Sequence, residues 1–395
     1  MGIFQSIKRG IRSTDKLLLF LCFAASAFGA LMVHSATLYK LHDGELISKV
    51  VIVMIGATLV GILLGMIASF IDYEMLLRLW LVIGGVSLIM MLLLFPFGSA
   101  ANPDRPDART WFDLGIVSFQ PSELFKIAFI ITFTVHLDYV GDKINEFKNV
   151  VLLTIHGLIP AFIVVATGDL GSALIFLSIF VGMMFISGLS FKYFAIAAAI
   201  LVVAIPTVWF GFFSEFQKAR FLAVWAPDTI EPQVYKDIIY QQQHGINAIG
   251  SGKLFGQGLF NGPFTQSHYV TVSESDMIFS VIAEELGFVG ALCSIGLIAL
   301  IIVKIVMVGI KSKDNIGTLL CFGVAIMIGV QTIINIGVCL KLFPSIGITL
   351  PFYSAGGSSN LCIYIAIGIV LSVYRFNQKN EATSFRYNKI STPFR

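Results

Sequence analysis

Long apolar runs constrain this chain more than any other feature of its sequence. A bilayer core of about 30 Å needs about 20 apolar residues in a helix that rises 1.5 Å per residue. Ten runs fit this length, at residues 16–34, 48–70, 77–97, 122–139, 149–167, 170–188, 191–210, 277–301, 315–339 and 358–375. The sequence therefore predicts an all-α polytopic membrane protein with ten transmembrane helices.

The chain carries too little charge for a soluble protein. Apolar residues make up 57% and charged residues 12% of its 395 residues, whereas soluble domains have about 45–50% and about 25%. This balance excludes a soluble enzyme and intrinsic disorder. The net charge of +3 gives no reason to expect nucleic acid as a partner. We expect one membrane domain over residues 1–395, surrounded by membrane lipids.

The cysteines and histidines do not form a recognisable disulfide or metal pattern. The five cysteines lie within or beside apolar runs without a CxxC spacing, and the six histidines are scattered. Such cysteines are usually small buried hydrophobic residues. We therefore predict neither a disulfide framework nor a protein metal site.

The distribution of lysine and arginine predicts the orientation. With the N-terminus inside, 16 of the 26 Lys and Arg residues fall on the cytoplasmic side and nine outside, as the positive-inside rule requires. Both termini, residues 1–15 and the tail 376–395, are then cytoplasmic, and the first run is an uncleaved span. A large extracellular loop, residues 211–276, separates helices seven and eight. Its aromatic residues and glycine-rich turn predict that it is partly folded.

Two polar clusters lie where lipid would normally exclude them. Glu123 and Lys126 are three residues apart at the start of the fourth span and share one helix face. They form either a neutralising pair at a helix start or the wall of a charged pocket. Asp169 lies in the tight turn between the fifth and sixth spans, where it acts either as a helix cap or turn residue or as a functional carboxylate.

Two further clusters precede the eighth and tenth spans. The pattern Ser273-x-x-Asp276 before an apolar run is typical of a capping box, in which Asp276 would bind helix-start amides. A carboxylate at a membrane mouth is equally suited to act as a general base for a hydroxyl. The Gly-Gly-Ser-Ser run that starts at Gly356 is either an ordinary turn or cap or an anion site made of free amides.

Five stretches of the chain together resemble the SEDS family (shape, elongation, division and sporulation), which includes FtsW, RodA and SpoVE. They occur in the order of the family, at residues 109–127, 169–175, 247–262, 273–290 and 335–359. The ten-span layout is also similar. One departure is Ser-Ala-Gly-Gly-Ser at residues 354–358, where the family usually has Ser-Tyr-Gly-Gly-Ser.

The resemblance implies a peptidoglycan glycosyltransferase that polymerises lipid II on the outer face of the bacterial cytoplasmic membrane. It implies that Asp276 is the catalytic carboxylate and that Glu123 and Lys126 belong to the site. Groups that could bind the substrate pyrophosphate are Arg109, Lys126, Arg220 and the segment Gly356, Gly357 and Ser358. The pyrophosphate could carry a divalent cation, Mg or Mn, although no protein pattern specifies one.

The resemblance further implies a partner, a single-span class B penicillin-binding protein. Two other functions stay open at this stage, a lipid II flippase or transporter and a non-catalytic scaffold for the penicillin-binding protein. Charged residues gathered at one face of the membrane favour a reaction at that face, because a transporter that works by alternating access needs openings at both faces. The sequence does not separate roles in elongation, division and sporulation.

Overall fold

The computed structural model describes residues 14–41, 44–100, 108–115, 118–211, 213 and 215–390, with the side chains of 216, 237 and 379–390 excepted. In this part of the chain the helices are α1 Lys16–Ala36, α2 Lys49–Phe70, α3 Tyr73–Arg78, α4 Trp80–Phe97, α5 Pro121–Val140, α6 Phe147–Ala166, α7 Leu170–Ile186, α8 Phe191–Gly211, α9 Glu215–Trp225, α10 Pro232–Ser251, α11 Pro263–Gln266, α12 Ile278–Ile310, α13 Asn315–Cys339 and α14 Gly357–Ile390. Short 3-10 turns cover Leu38–Lys40, Gly141–Asn145 and Pro227–Thr229, and strands β1 Ser99–Ala100, β2 Arg109–Asp113 and β3 Ser118–Phe119 form one antiparallel sheet.

The polytopic helical fold is confirmed. Within the described ranges, nine helices are long and apolar enough to cross a membrane, and α7, with 17 residues, coincides with the remaining predicted span. The count of ten crossings itself stays a prediction. Two helices extend well beyond the spans predicted for them. Helix α12 continues to Ile310 rather than 301, and α14 continues to Ile390, past the predicted start of the tail at 376.

Two side-chain contacts identify the two ends of the helix bundle. At one end, the Lys304 ammonium pairs with Asp15 at 2.8 Å. At the other end, Lys40 pairs with Glu274. We call these the Asp15 end and the Lys40 end. The grouping matches the one predicted from the distribution of lysine and arginine.

The segment between α8 and α12, which the sequence predicts to be partly folded, contains helices joined by turns. It holds α9, α10 and α11. Helix α10 is anchored to the bundle by Gln242, whose side-chain amide donates to the carbonyl oxygens of Val338 and Phe343, both at 2.8 Å. This segment therefore packs on the Lys40 end of the bundle.

Helix α12 is broken at Gly287, which the apolar run did not predict. Gly287 has φ 68° and ψ −167°, a conformation that residues with a Cβ essentially do not adopt. The amides of Phe288 and Val289, just after the break, donate to the carbonyl oxygens of Lys253 and Leu254 at 2.9 and 3.2 Å. The break thus divides α12 into a short first part, residues 278–286, which lies at the Lys40 end, and a long second part.

Two buried carboxylates just before the break hold the loop that follows α10. Glu284 accepts from the amides of Phe264 and Thr265 at 2.7 and 3.0 Å and from the Thr265 hydroxyl at 2.5 Å. Glu285 accepts from the Ser35 hydroxyl of α1 at 2.5 Å and from the Phe260 amide at 3.1 Å. Both glutamates are fully buried, so their carboxyl groups are used to position the loop.

Candidate active site

A cavity of about 550 Å³ opens at the Lys40 end of the bundle. Its polar walls come from parts of the chain that are far apart in sequence. They include Thr110, Trp111, Gln120, Glu123, Asp169, Ser172, Gln217, Arg220, Gln241, Glu274, Ser275, Asp276, Gln331, Ser345, Thr349 and Gly356. Three of the four clusters that the sequence analysis selected therefore have their carboxylates on one cavity, and the fourth contributes Gly356.

Asp276 lies on the cavity and does not cap a helix. Helix α12 begins at Ile278 with Met277 as its N-cap residue and without a side-chain cap. The capping-box interpretation of Asp276 is therefore wrong. Desolvation of the carboxyl group raises the pKa of Asp276 to about 6, opposed by a hydrogen bond from Ser275 and reinforced by the charges of Glu274 and Asp169.

Glu123 and Lys126 form a buried ion pair in the first two turns of α5. The Lys126 ammonium donates to Glu123 Oε1 at 2.9 Å, and the lysine side chain has no exposed surface. Glu123 lies on the cavity wall, while Lys126 is behind it. The two interpretations of this pair are thus not exclusive, since one ion pair supplies both charge balance and a cavity wall.

Asp169 caps a helix, as its turn position suggested, and also lies on the cavity. Its Oδ1 accepts from the Ser172 amide at 2.8 Å and caps α7, while its Oδ2 accepts from the Gln120 side chain at 2.9 Å. Burial raises the pKa of Asp169, against the hydrogen bonds from Ser172. The carboxylate also lines the cavity.

The predicted anion-binding groups separate into two sets. Arg220 and Gly356 lie on the cavity. Arg109 is in strand β2, where its guanidinium donates to the carbonyl oxygen of Phe95 at 3.0 Å. Arg109, Lys126, Gly357 and Ser358 do not line the cavity, so the structure does not bring them to it.

Several site residues were missed by the sequence analysis. Glu274, next to Asp276, lines the cavity and pairs with Lys40. Gln331 and Asn335 lie one turn apart in α13, and both are about 1% exposed. Two polar residues with this spacing inside an apolar run could have indicated the site from the sequence, because lipid disfavours such side chains.

The described residues include no group of three or more His, Cys, Asp or Glu side chains that could hold a metal ion. Asp169 and Asp276 are nevertheless two carboxylates on one cavity. A cation that arrives with an anionic substrate would therefore have carboxylate oxygens within the site.

The fold and the cavity together define a class of protein, a multi-pass helical membrane protein with an acidic site at one end of its bundle. The chain belongs to the family described as cell cycle proteins of the FtsW, RodA and SpoVE type, whose sequence profile matches residues 15–379. The predicted family is thereby confirmed.

Named relatives and solved structures agree with this assignment. A probable peptidoglycan glycosyltransferase FtsW of Geobacter sulfurreducens (strain DL-1 / KN400) is 30% identical over 392 residues, which cover 94% of this chain and 98% of the relative. The peptidoglycan glycosyltransferase MrdB of Escherichia coli (strain K12) is 29% identical over 291 residues, 73% of this chain and 76% of the relative.

Two solved structures share the fold. One chain comes from a study of the structural coordination of polymerization and crosslinking by a peptidoglycan synthase complex, with a TM-score of 0.76 and 27% identity, over 92% of this chain and 98% of that chain. The rod shape determining protein RodA of Thermus thermophilus has a TM-score of 0.66 and 26% identity, over 92% of this chain and 97% of that chain.

Proposed function

We propose that this chain is a peptidoglycan glycosyltransferase that polymerises lipid II into glycan strands. Family membership and the activity named for its relatives support this function. The observation that carries the proposal is the carboxylate of Asp276, which lies on the cavity and is not used to cap a helix. A carboxyl pKa of about 6 suits a general base, because the group is ionised near neutral pH and still basic.

In the proposed reaction, Asp276 accepts the proton of the 4-hydroxyl of the acceptor sugar as its oxygen attacks the anomeric carbon of the donor. The bond between that carbon and the pyrophosphate oxygen breaks, and the lipid pyrophosphate leaves. Attack from the opposite face inverts the centre, so an α-linked donor gives a β-linkage without a covalent enzyme intermediate. Arg220 and the backbone at Gly356 lie on the same cavity and are our candidates to neutralise the leaving group.

We place the Lys40 end, and therefore the active face, outside the cytoplasmic membrane. The excess of lysine and arginine on the other side supports this orientation. The contacts of Lys304 with Asp15 and of Lys40 with Glu274 agree with the grouping of residues that the orientation requires.

The partner we propose is a single-span class B penicillin-binding protein, which would crosslink the strands that this chain makes. Support comes from the solved structure of a relative, which concerns polymerization and crosslinking by a peptidoglycan synthase complex. A Mg or Mn ion on the substrate pyrophosphate is part of the proposal as well; the Asp169 carboxylate, which lines the cavity, would hold it, and the ion would neutralise charge on the leaving group. Polymerisation measured before and after EDTA treatment tests the ion.

The deciding experiment compares Asp276→Asn with the parent and with Asp113→Asn in full-length protein reconstituted with lipid II, with and without the penicillin-binding protein. Asp113 is an exposed carboxylate on β2, outside the cavity, so it controls for the substitution itself. We expect the Asp276 variant to lose polymer on a gel and the control to keep it. If folded Asp276→Asn forms polymer at the parental rate, Asp276 is not the general base.

The same proteoliposomes separate an enzyme from a flippase. Labelled lipid II that crosses the bilayer at a rate that depends on the protein but not on Asp276 would favour transport. The gathering of the charged cavity residues at one end of the bundle supports chemistry instead. A chain that forms no polymer in either condition, yet restores crosslinking by its partner, would be a scaffold.

A further inference from the structure

The carbonyl oxygens of residues 274–276 are each held by a donor from the last part of the chain. The Ala355 amide donates to the first of them at 2.8 Å. The Ser354 hydroxyl donates to the second at 2.7 Å, and the side-chain amide of Asn335 donates to the third, that of Asp276, at 2.8 Å. Three consecutive peptide groups are thus fixed from outside their own segment.

Asn335 connects Asp276 to another wall of the cavity. Its Nδ2 donates to the Asp276 carbonyl and also to that of Ile348 at 2.7 Å, and Ile348 is a lining residue. One amide nitrogen therefore links the Asp276 backbone to this wall, and the Cys339 thiol donates to the same Asp276 carbonyl at 3.5 Å. Asn335 itself is not among the lining residues, so it acts on the cavity through the backbone.

Ser354 is oriented as firmly as Asn335. Its hydroxyl accepts from the Leu350 amide at 2.7 Å while it donates to Ser275. Its carbonyl oxygen accepts from the Asn360 side chain at 3.1 Å. Only 1% of its surface is exposed, so both hydroxyl contacts are shielded from water.

This arrangement gives Ser354 a task that differs from the anion binding proposed for Gly356 in the same segment. The side chain of Ser354 points to the segment that carries the base. The hydrogen bonds restrain the backbone of residues 275 and 276, to which the Asp276 carboxylate is attached. The carboxylate does not cap α12, which begins two residues later without a side-chain cap. A base held in this way needs no reorganisation when the acceptor hydroxyl arrives.

We propose that Asn335 and Ser354 are positioning residues that fix the Asp276 carboxylate in the cavity through the carbonyl groups of residues 275 and 276. The inference rests on the proposed role of Asp276 as the base. It adds two residues that lie outside the cavity, and whose loss should slow the reaction while leaving substrate binding nearly intact.

The test uses three variants of the full-length chain in proteoliposomes, together with the penicillin-binding protein. Asn335→Leu keeps the side-chain volume and removes both donated hydrogen bonds, Ser354→Ala removes the hydroxyl, and Ser354→Thr restores it. We expect kcat for lipid II polymerisation to fall about tenfold or more in the first two, with KM and the Kd of fluorescent lipid II within about threefold of the parent. Ser354→Thr should recover most of the lost rate.

Asn377→Ala provides the matched control. Asn377 is also a buried asparagine, but its side chain accepts from the Lys313 amide at 3.4 Å, at the Asp15 end. We expect its kcat to stay within about twofold of the parent. A similar loss of kcat in this control would show general destabilisation and overturn the inference. Should Asn335→Leu fail to fold, Ser354→Ala and its threonine rescue decide alone.

The variants distinguish a wrong positioning role from a wrong general base. If Asp276→Asn abolishes polymerisation but both Asn335→Leu and Ser354→Ala keep the parental kcat, the positioning role is rejected and the base stands. If Asp276→Asn polymerises at the parental rate, the base is rejected and the positioning role with it. A loss of kcat in the two positioning variants, with unchanged lipid II binding and rescue by threonine, supports both.

Discussion

The Lys126 ammonium lies 2.9 Å from Glu123 Oε1 in the interior of the protein, with 0% and 7% of the two side chains exposed. Glu123 lines the cavity, and Lys126 balances its charge from behind. The pair therefore links the stability of α5 to the electrostatics of the site. Removing one partner of such a pair leaves an uncompensated buried charge, which is more costly than removing both.

We expect Lys126→Met to lower the free energy of unfolding by about 3–5 kcal/mol. The double variant Glu123→Gln with Lys126→Met should recover a large part of this loss, because no buried charge is left unpaired. Thermal unfolding in detergent measures the stability, and polymerisation of lipid II measures the site. A stable and fully active Lys126→Met variant would contradict both the structural and the substrate-binding role of the pair.

The rate of polymerisation should depend on pH through Asp276. Burial raises the pKa of its carboxyl group from 3.8 to about 6, and a general base acts only when ionised. The rate should therefore be half-maximal near pH 6 and about a tenth of its maximum one pH unit below. Initial rates between about pH 5 and pH 8 test this, with the flat residual rate of Asp276→Asn as the control. An unchanged rate down to about pH 5 would exclude Asp276 as the titrating base.

The raised pKa of Asp276 also affects stability, in the direction opposite to its effect on the rate. A carboxyl group whose pKa is raised in the folded state binds its proton more tightly there than in the unfolded chain. Ionisation of Asp276 therefore lowers the free energy of unfolding as the pH rises from about 4 to about 6. Asp276→Asn should remove this part of the pH dependence in thermal unfolding, while Asp113→Asn should leave it unchanged.

The sequence predicts the helical framework well because each crossing needs its own apolar run, and such runs are visible one at a time. It also selects Asp276 and Glu123, since charged residues at the mouths of apolar runs are rare enough to be noticed. Family resemblance then orders these residues into one site. The cavity itself depends on contacts between distant segments, which no local pattern contains.

The features that the sequence did not predict all depend on such distant contacts. The break at Gly287 is stabilised by carbonyl groups of residues 253 and 254, and an apolar run does not show where its helix is interrupted. Arg109 is placed by a small sheet, where its guanidinium binds the Phe95 carbonyl instead of the cavity. Asn335 looks like one polar residue in a span, and its role becomes visible only from the two carbonyls it contacts.

Glu284 should stabilise the loop that follows α10 more than the rest of the fold. Its carboxylate accepts two amides and one hydroxyl from residues 264 and 265, so Glu284→Ala leaves buried donors without partners. We expect a loss of about 3 kcal/mol or more, and a smaller loss for Glu284→Gln, which keeps one acceptor oxygen. Hydrogen exchange should rise first in residues 252–266. Exchange that rises equally in α2 and α14 would indicate global unfolding instead.

The break in α12 should tolerate only glycine at position 287. A Cβ atom there would lie 2.3 Å from the Gly256 nitrogen and 2.6 Å from the Leu254 carbonyl oxygen, and the positive φ adds backbone strain. We expect Gly287→Ala to cost about 3 kcal/mol or more and to displace the segment that carries the buried glutamates. Gly296→Ala, in the same helix with no neighbouring atom within 4 Å of a Cβ, should change stability by about 1 kcal/mol or less. Equal melting temperatures for the two variants in detergent would show that the helix accommodates a side chain at the break.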